Sequence, residues 1–152
     1  MKTILPVVAA GLTLTLLAGC AAPGVYKTRS DLVSNPAACG AKRFEVYFDQ
    51  DQARLTNAAR EAISLTATQL QGCDVTKVQV LGLADARSGT AAANQTLSEQ
   101  RARSVAEALA VVGLPAPAFE VTGAGAEGAK VNGVNDPLRR RTEVVIEAQP
   151  RL

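Results

Sequence analysis

From Arg43 onward the chain switches between two hydrophobic periods, and that alternation admits few folds. "RFEVYF" (Arg43–Phe48) alternates with a period of two and is rich in aromatics, which predicts a strand. "LTNAAREAISLTATQLQG" sets Leu55, Ala59, Ala62, Ile63, Thr66 and Leu70 at helical spacing, with Thr56 or Asn57 as the cap and Gly72 as the stop. "TKVQVLGLA" (Thr76–Ala84) alternates again, as a second strand that leads into Asp85. A second helix begins between Thr90 and Asn94 and ends near Gly113, and Phe119 and Val121 alternate with Glu120 and Thr122 as a third strand. Glycines 123, 125, 128 and 133 mark a loop before "RTEVVIE", the fourth strand. This order describes an α+β domain, a two-layer α/β sandwich with two helices on one face of a four-stranded sheet.

The first twenty residues follow a different rule. Lys2 precedes an uncharged stretch of about 14 residues, Ile4–Leu17, which is shorter than the roughly 20 residues a membrane-spanning helix needs. Residues 1–19 are therefore expected to be an export signal. Leu17-Ala18-Gly19-Cys20 resembles a bacterial lipobox, which implies that Cys20 is acylated and becomes the first residue of the mature chain. Acyl chains contribute about 0.8 kcal/mol per buried CH₂, enough in combination to hold a protein at a membrane without a spanning helix. Ala21 after the cysteine implies the outer membrane. Residues 20–41, broken by Pro23, Gly24, Pro36 and Gly40, are read as a flexible tether with a reach of roughly 25 Å. Residues 149–152 are read as a tail.

Composition narrows the function. With 16 Lys and Arg against 14 Asp and Glu, one cation of which leaves with the signal, the mature chain is nearly neutral and has no nucleic-acid footprint. The one dense basic run, Arg139-Arg140-Arg141, is followed by Glu143 and reads as a solvated strand entrance. There is no histidine to act as a base. "GAGAEGAKVNG" lacks the Gly-Lys-Ser/Thr ending of a phosphate loop. Asp49 and Asp51 read as loop solvation rather than as a catalytic pair or metal ligands. Neither an enzyme nor a cofactor or metal site is expected. Export leaves Cys39 and Cys73 in an oxidising compartment, where a bridge between them is expected and two free buried thiols are the alternative.

Two charges stand out. On the second helix, with Leu97 at zero, Arg101 falls at about 40°, inside the stripe formed by Ala108, Val112, Val105 and Leu109. A guanidinium withdrawn from water requires a carboxylate or a comparable acceptor. Asp85, at the carboxyl end of the strand that feeds this helix, stands where α/β sheets open their ligand crevices. Either the two form a structural salt bridge, or they are held apart to grip one ligand that carries both a carboxylate and an ammonium.

The stretches "FEVYFDQDQARLT", "LGLADARSG", "NQTLSEQRARSVAEAL" and "RRRTEVVIE" resemble the OmpA C-terminal-like domain over roughly residues 42–148. This is the peptidoglycan-binding module of outer-membrane protein A and of peptidoglycan-associated lipoproteins. The resemblance implies a βαβαββ fold with a mixed sheet. It implies a ligand too, the meso-diaminopimelate of the peptidoglycan stem peptide, whose free end presents an ammonium beside a carboxylate. Asp85 and Arg101 match the family's binding pair, and Phe48, Asp49, Arg87, Leu97 and Asn94 match its surrounding contacts. The chain departs from the family pattern at Leu83, at Gln50, at Arg139 and by one extra residue between Asp85 and Asn94. The function implied is that of a periplasm-facing outer-membrane lipoprotein that holds the membrane to the cell wall noncovalently. The alternative is an envelope lipoprotein of the same fold acting mainly through contacts with other envelope proteins.

Overall fold

The computed structural model describes residues 39–87, 89–115 and 118–151, so the signal segment, Cys20 and most of the tether lie outside the described residues. The elements are β1 (Lys42–Tyr47), α1 (Asn57–Gln69), β2 (Cys73–Gly82), α2 (Ala91–Val111), β3 (Phe119–Gly123), β4 (Lys130–Val131), β5 (Val134–Asn135) and β6 (Arg141–Pro150). A 3₁₀ turn at Pro137–Arg139 leads into β6.

Local chemistry sets the helix ends. Thr56 and Thr90 are the caps, their hydroxyls accepting from the Ala59 and Ala93 amides at 3.1 and 3.2 Å. Past the carboxyl ends, Gly72 (φ 82°) and Gly113 (φ 99°) take the left-handed conformation that lets the chain reverse. The glycine-rich segment read as a loop contains a small hairpin, β4–β5, turning through Asn132 and Gly133, both at positive φ. The asparagine-glycine pair suits a two-residue hairpin turn, and each arm is two residues long, too short for periodicity to reveal.

The four-stranded sheet has the order β1-β6-β2-β3. β6 is antiparallel to both of its neighbours, whereas β2 and β3 run parallel, so the sheet is mixed as expected. Both helices cover one face. Val46, Val78, Val80, Val144 and Ile146 from the sheet bury against Ile63, Ala102, Val105 and Leu109 from the helices. The opposite face is polar, with Arg141 on Glu45 and Lys77 on Glu120, at 3.3 and 3.2 Å. A sheet covered on one side alone leaves alternate residues to water, which is why its strands alternate in the sequence.

β6 continues through Pro150, pairing Gln149 with Asp74 and Pro150 with Cys73, two residues into the segment read as a tail. At the other end Cys39 is bridged to Cys73 with the Cα atoms 5.5 Å apart, so the last residues of the tether are fastened to the first of β2. Both cysteines are buried. Closing this 34-residue separation stabilises the fold by roughly 3–4 kcal/mol on the chain-entropy account. Reducing the full chain should lower its urea midpoint accordingly, and an unchanged midpoint in reductant would show that the bridge carries no stability.

Candidate functional site

The carboxyl end of β2, the turn that follows it, the loop after β1 and the start of β6 meet at one edge of the sheet, and their charges are gathered there. Asp85 and Arg101 are both wholly removed from solvent.

Arg101 lies in the buried stripe of α2, as its spacing predicts, and its acceptors are main-chain carbonyls. Nε donates to Gln52 O at 2.8 Å, Nη1 to Leu83 O at 2.9 Å and Nη2 to Asp49 O at 3.1 Å. The guanidinium also lies over the Phe48 ring, 5.2 Å from its centroid, a cation–π contact strengthened by the absence of water. One side chain thus ties the loop after β1 to the end of β2. Burial pulls the Arg101 pKa below its usual value, opposed by the charge of Asp85, reinforced by that of Arg140 and opposed again by Asp51.

Asp85 meets a different arginine. Arg140 Nη1 lies 3.1 Å from Asp85 Oδ2, and Asn135 Nδ2 donates to the same oxygen at 3.4 Å. Asn135 Oδ1 accepts from the Ala86 amide at 2.7 Å, so β5 braces the turn that carries the acid. Arg140 retains about a quarter of its side chain in solvent (26%), whereas Asp85 has none. The reading of Arg139–Arg141 as a solvated strand entrance is corrected at this position. Arg140 points back at the acid, because β6 lies between β1 and β2 and brings its first residues to the end of β2.

The other expected residues divide. Phe48 is the ring beneath Arg101. Asp49 takes part through its carbonyl, while its side chain is exposed. Asn94 is almost fully buried; its Nδ2 reaches Gly89 O at 3.5 Å and its Oδ1 has no partner among the described residues. It lines a crevice of about 410 Å³ with Ala86, Gln95, Gly125, Glu127 and Lys130. Arg87 stands exposed on the turn. Leu97 is half-buried, on the flank of a stripe whose fully hidden members are Ser98, Arg101, Ala102, Val105 and Leu109. A larger cavity, about 590 Å³, lies at the far end of β2 around Cys73, Asp74 and Leu114, away from these charges.

Sequence reasoning missed three participants. Arg140 and Asn135 are recognisable only once the strand order is known. Ser98, part of the quoted α2 pattern, is hidden beneath the site; its hydroxyl donates to Gln95 O and accepts from the Gly125 amide, both at 2.8 Å. It pins the glycine-rich loop to the helix.

The sequence profile of the OmpA family matches residues 47–142. Over 103 residues the chain is 32% identical to outer membrane protein A of Klebsiella pneumoniae, covering 66% of this chain and 30% of that protein. It is 37% identical over 81 residues to the outer-membrane lipoprotein YfiB of Pseudomonas aeruginosa, covering 53% of this chain and 48% of the relative. The chain therefore spans less than half the length of these curated relatives. Among solved structures, the OmpA-like domain of FopA1 from Francisella tularensis superposes with a TM-score of 0.62 at 25% identity, over 72% of this chain and 73% of that one. The peptidoglycan-associated lipoprotein of Burkholderia pseudomallei does so with a TM-score of 0.59 at 26% identity, over 70% and 91%.

Proposed function

The chain belongs to the OmpA family, and on that premise we propose that it binds peptidoglycan noncovalently through the diaminopimelate of the stem peptide, with no chemistry performed on it. The observation that carries this reading is the cluster of buried Asp85 and Arg101 with part-exposed Arg140, one acid near two guanidiniums at the carboxyl end of β2. A zwitterionic amino-acid end has the complementary charges, an ammonium for the acid and a carboxylate for a guanidinium fork. Among the described residues no helix is long and apolar enough to cross a membrane. Attachment is proposed to come from acylated Cys20, with residues 1–19 removed, the tether bridging to the domain and the domain facing the periplasm. Lipid and cell wall are then held at opposite ends of one molecule.

The full chain should sediment with purified diaminopimelate-type sacculi. Asp85→Asn, which keeps the shape of the side chain and removes its charge, should abolish sedimentation while the variant still unfolds in one cooperative thermal transition. Sedimentation of Asp85→Asn equal to that of the natural chain would remove the reading. A second reading, in which the domain acts through protein contacts, is favoured by the apolar side chains of the hairpin and the turn after it. Val131, Val134 and Leu138 are 59%, 70% and 61% exposed beside Asn135. Under that reading, partners would co-purify from cells whose wall had been digested.

A further inference from the structure

We infer that the Cys39–Cys73 bridge passes tension from the chain before Cys39 directly into β2, and so keeps the charged edge assembled while the domain is pulled. The use of such a bypass rests on the proposal above, that one end of the molecule is anchored and the other holds the cell wall; the bypass itself rests on the bridge and the strand order.

β2 begins at Cys73, runs for ten residues to Gly82 and leads into Asp85. A strand of that length spans about 33 Å, so one strand joins the bridge at one end of the domain to the acid at the other. It is also an interior strand, held by β6 on one side and β3 on the other. With the bridge closed, the covalent path from Cys39 to Asp85 crosses the two sulfurs and follows the β2 backbone. No noncovalent contact inside the domain then has to bear the pull.

With the bridge open, the path takes in the whole 34-residue separation, which folds as β1, the loop after it and α1. This part is weakly fastened. β1 lies at the edge of the sheet and pairs with β6 alone. Of the residues of α1 only Ala59 and Ile63 are buried, and its side-chain hydrogen bonds stay within residues 55–68. A segment with few buried groups opens at a lower free energy than the rest of its domain. Its opening would reach the charged edge, because Asp49 and Gln52, whose carbonyls accept from Arg101, and Phe48, whose ring lies beneath the guanidinium, all belong to it. Tension on β1 would take from Arg101 two of its three acceptors and its ring. The closed bridge spares them, and since Cys73 stands at the opposite end of β2 from Asp85, it should affect binding only under tension.

The test stretches the full chain in an optical trap between its amino end and a handle coupled to an azide-bearing side chain introduced at Arg87, on the exposed turn beyond Asp85. The oxidised chain should hold its length until β2 itself is drawn out. In dithiothreitol, or in Cys39→Ala, an earlier step at lower force should lengthen it by about 110–120 Å, the extended length of the separation released. Hydrogen exchange of the reduced chain is the second measurement, in which residues 40–70 should lose protection together while β2, α2 and β6 keep theirs. A bridge-open chain that stays as short as the closed one until β2 gives way, or that loses protection throughout, overturns the inference. With sacculi on the second bead in place of the handle, closed and open chains should bind equally at rest, and the open chain should release sooner under a steady pull. Equal lifetimes under that pull also overturn it. Adhesion by neither chain removes the peptidoglycan reading, while the extension step still decides the bypass.

Discussion

Arg101→Ala should destabilise the domain by about 4 kcal/mol or more, a large part of the 5–15 kcal/mol that holds a typical domain folded. The substitution removes donors from three carbonyls, that of Leu83 in a buried place and those of Asp49 and Gln52 in partly buried ones. Leaving a buried acceptor unsatisfied costs about 1–3 kcal/mol, and the cavity left over Phe48 adds to it. Water entering that cavity would relieve part of the loss, which keeps the expected value below the simple sum. Arg101→Lys retains the charge, but a single ammonium cannot reach three acceptors spread around a planar fork, so it should recover about half of the loss at best. Urea unfolding followed by circular dichroism measures this directly, since the chain has no tryptophan. If Arg101→Ala unfolds within about 1 kcal/mol of the natural chain, the guanidinium is not the fastening described above. The prediction bears on how binding assays are read. Loss of peptidoglycan sedimentation by Arg101→Ala cannot identify a ligand contact if the variant has lost its fold, whereas loss by a folded Asp85→Asn can.

Gly82→Ala should be as damaging, by a different route. A Cβ at Gly82 would fall 1.9 Å from the carbonyl oxygen of Ser98 and 3.0 Å from Ala102 Cβ, inside the backbone of α2. Gly123, its partner in register on β3, is also tightly placed, since a Cβ there would fall 2.6 Å from the Glu99 amide nitrogen and the Ser98 hydroxyl. The two glycines form a notch into which one turn of the helix settles. Backbone cannot yield as a side-chain tip can, so a methyl group there must lift α2 from the sheet. Overpacking of a core costs about 1–3 kcal/mol when side chains can adjust, and here they cannot, so the loss should lie at or above the top of that range. Lifting α2 would also part Ser98 from Gly125 and Arg101 from Leu83, so the charged edge should be lost together with the packing. Gly40→Ala, whose Cβ would meet nothing within 4 Å, is the matched control and should leave unfolding unchanged. A Gly82→Ala chain as stable as that control would mean that the close approach of α2 is not required.

The two helices and the four strands of the main sheet were legible in the sequence because each is specified by its neighbours along the chain. Thr56, Thr90, Gly72 and Gly113 mark the helix ends through contacts within a few residues, and the alternation of β1, β2 and β6 follows from a sheet covered on one face. The placement of Arg101 within an apolar stripe was equally legible, as was its need for an acceptor. What accepts it was not. Main-chain carbonyls are present at every residue, so those of Asp49, Gln52 and Leu83 carry no mark that singles them out until the loops are folded around the guanidinium. The partner of Asp85 was hidden for a related reason. Arg140 lies 55 residues away, and it reaches the acid because β6 inserts between β1 and β2, a strand order that no local pattern encodes. The sequence by itself determined the two helices, the four long strands and the burial of Arg101, since those depend on side-chain type and short-range geometry, whereas the short hairpin and the extension of β6 through Pro150 did not show in it. Tertiary structure alone decided which charge faces which, since that depends on the order in which distant strands pair.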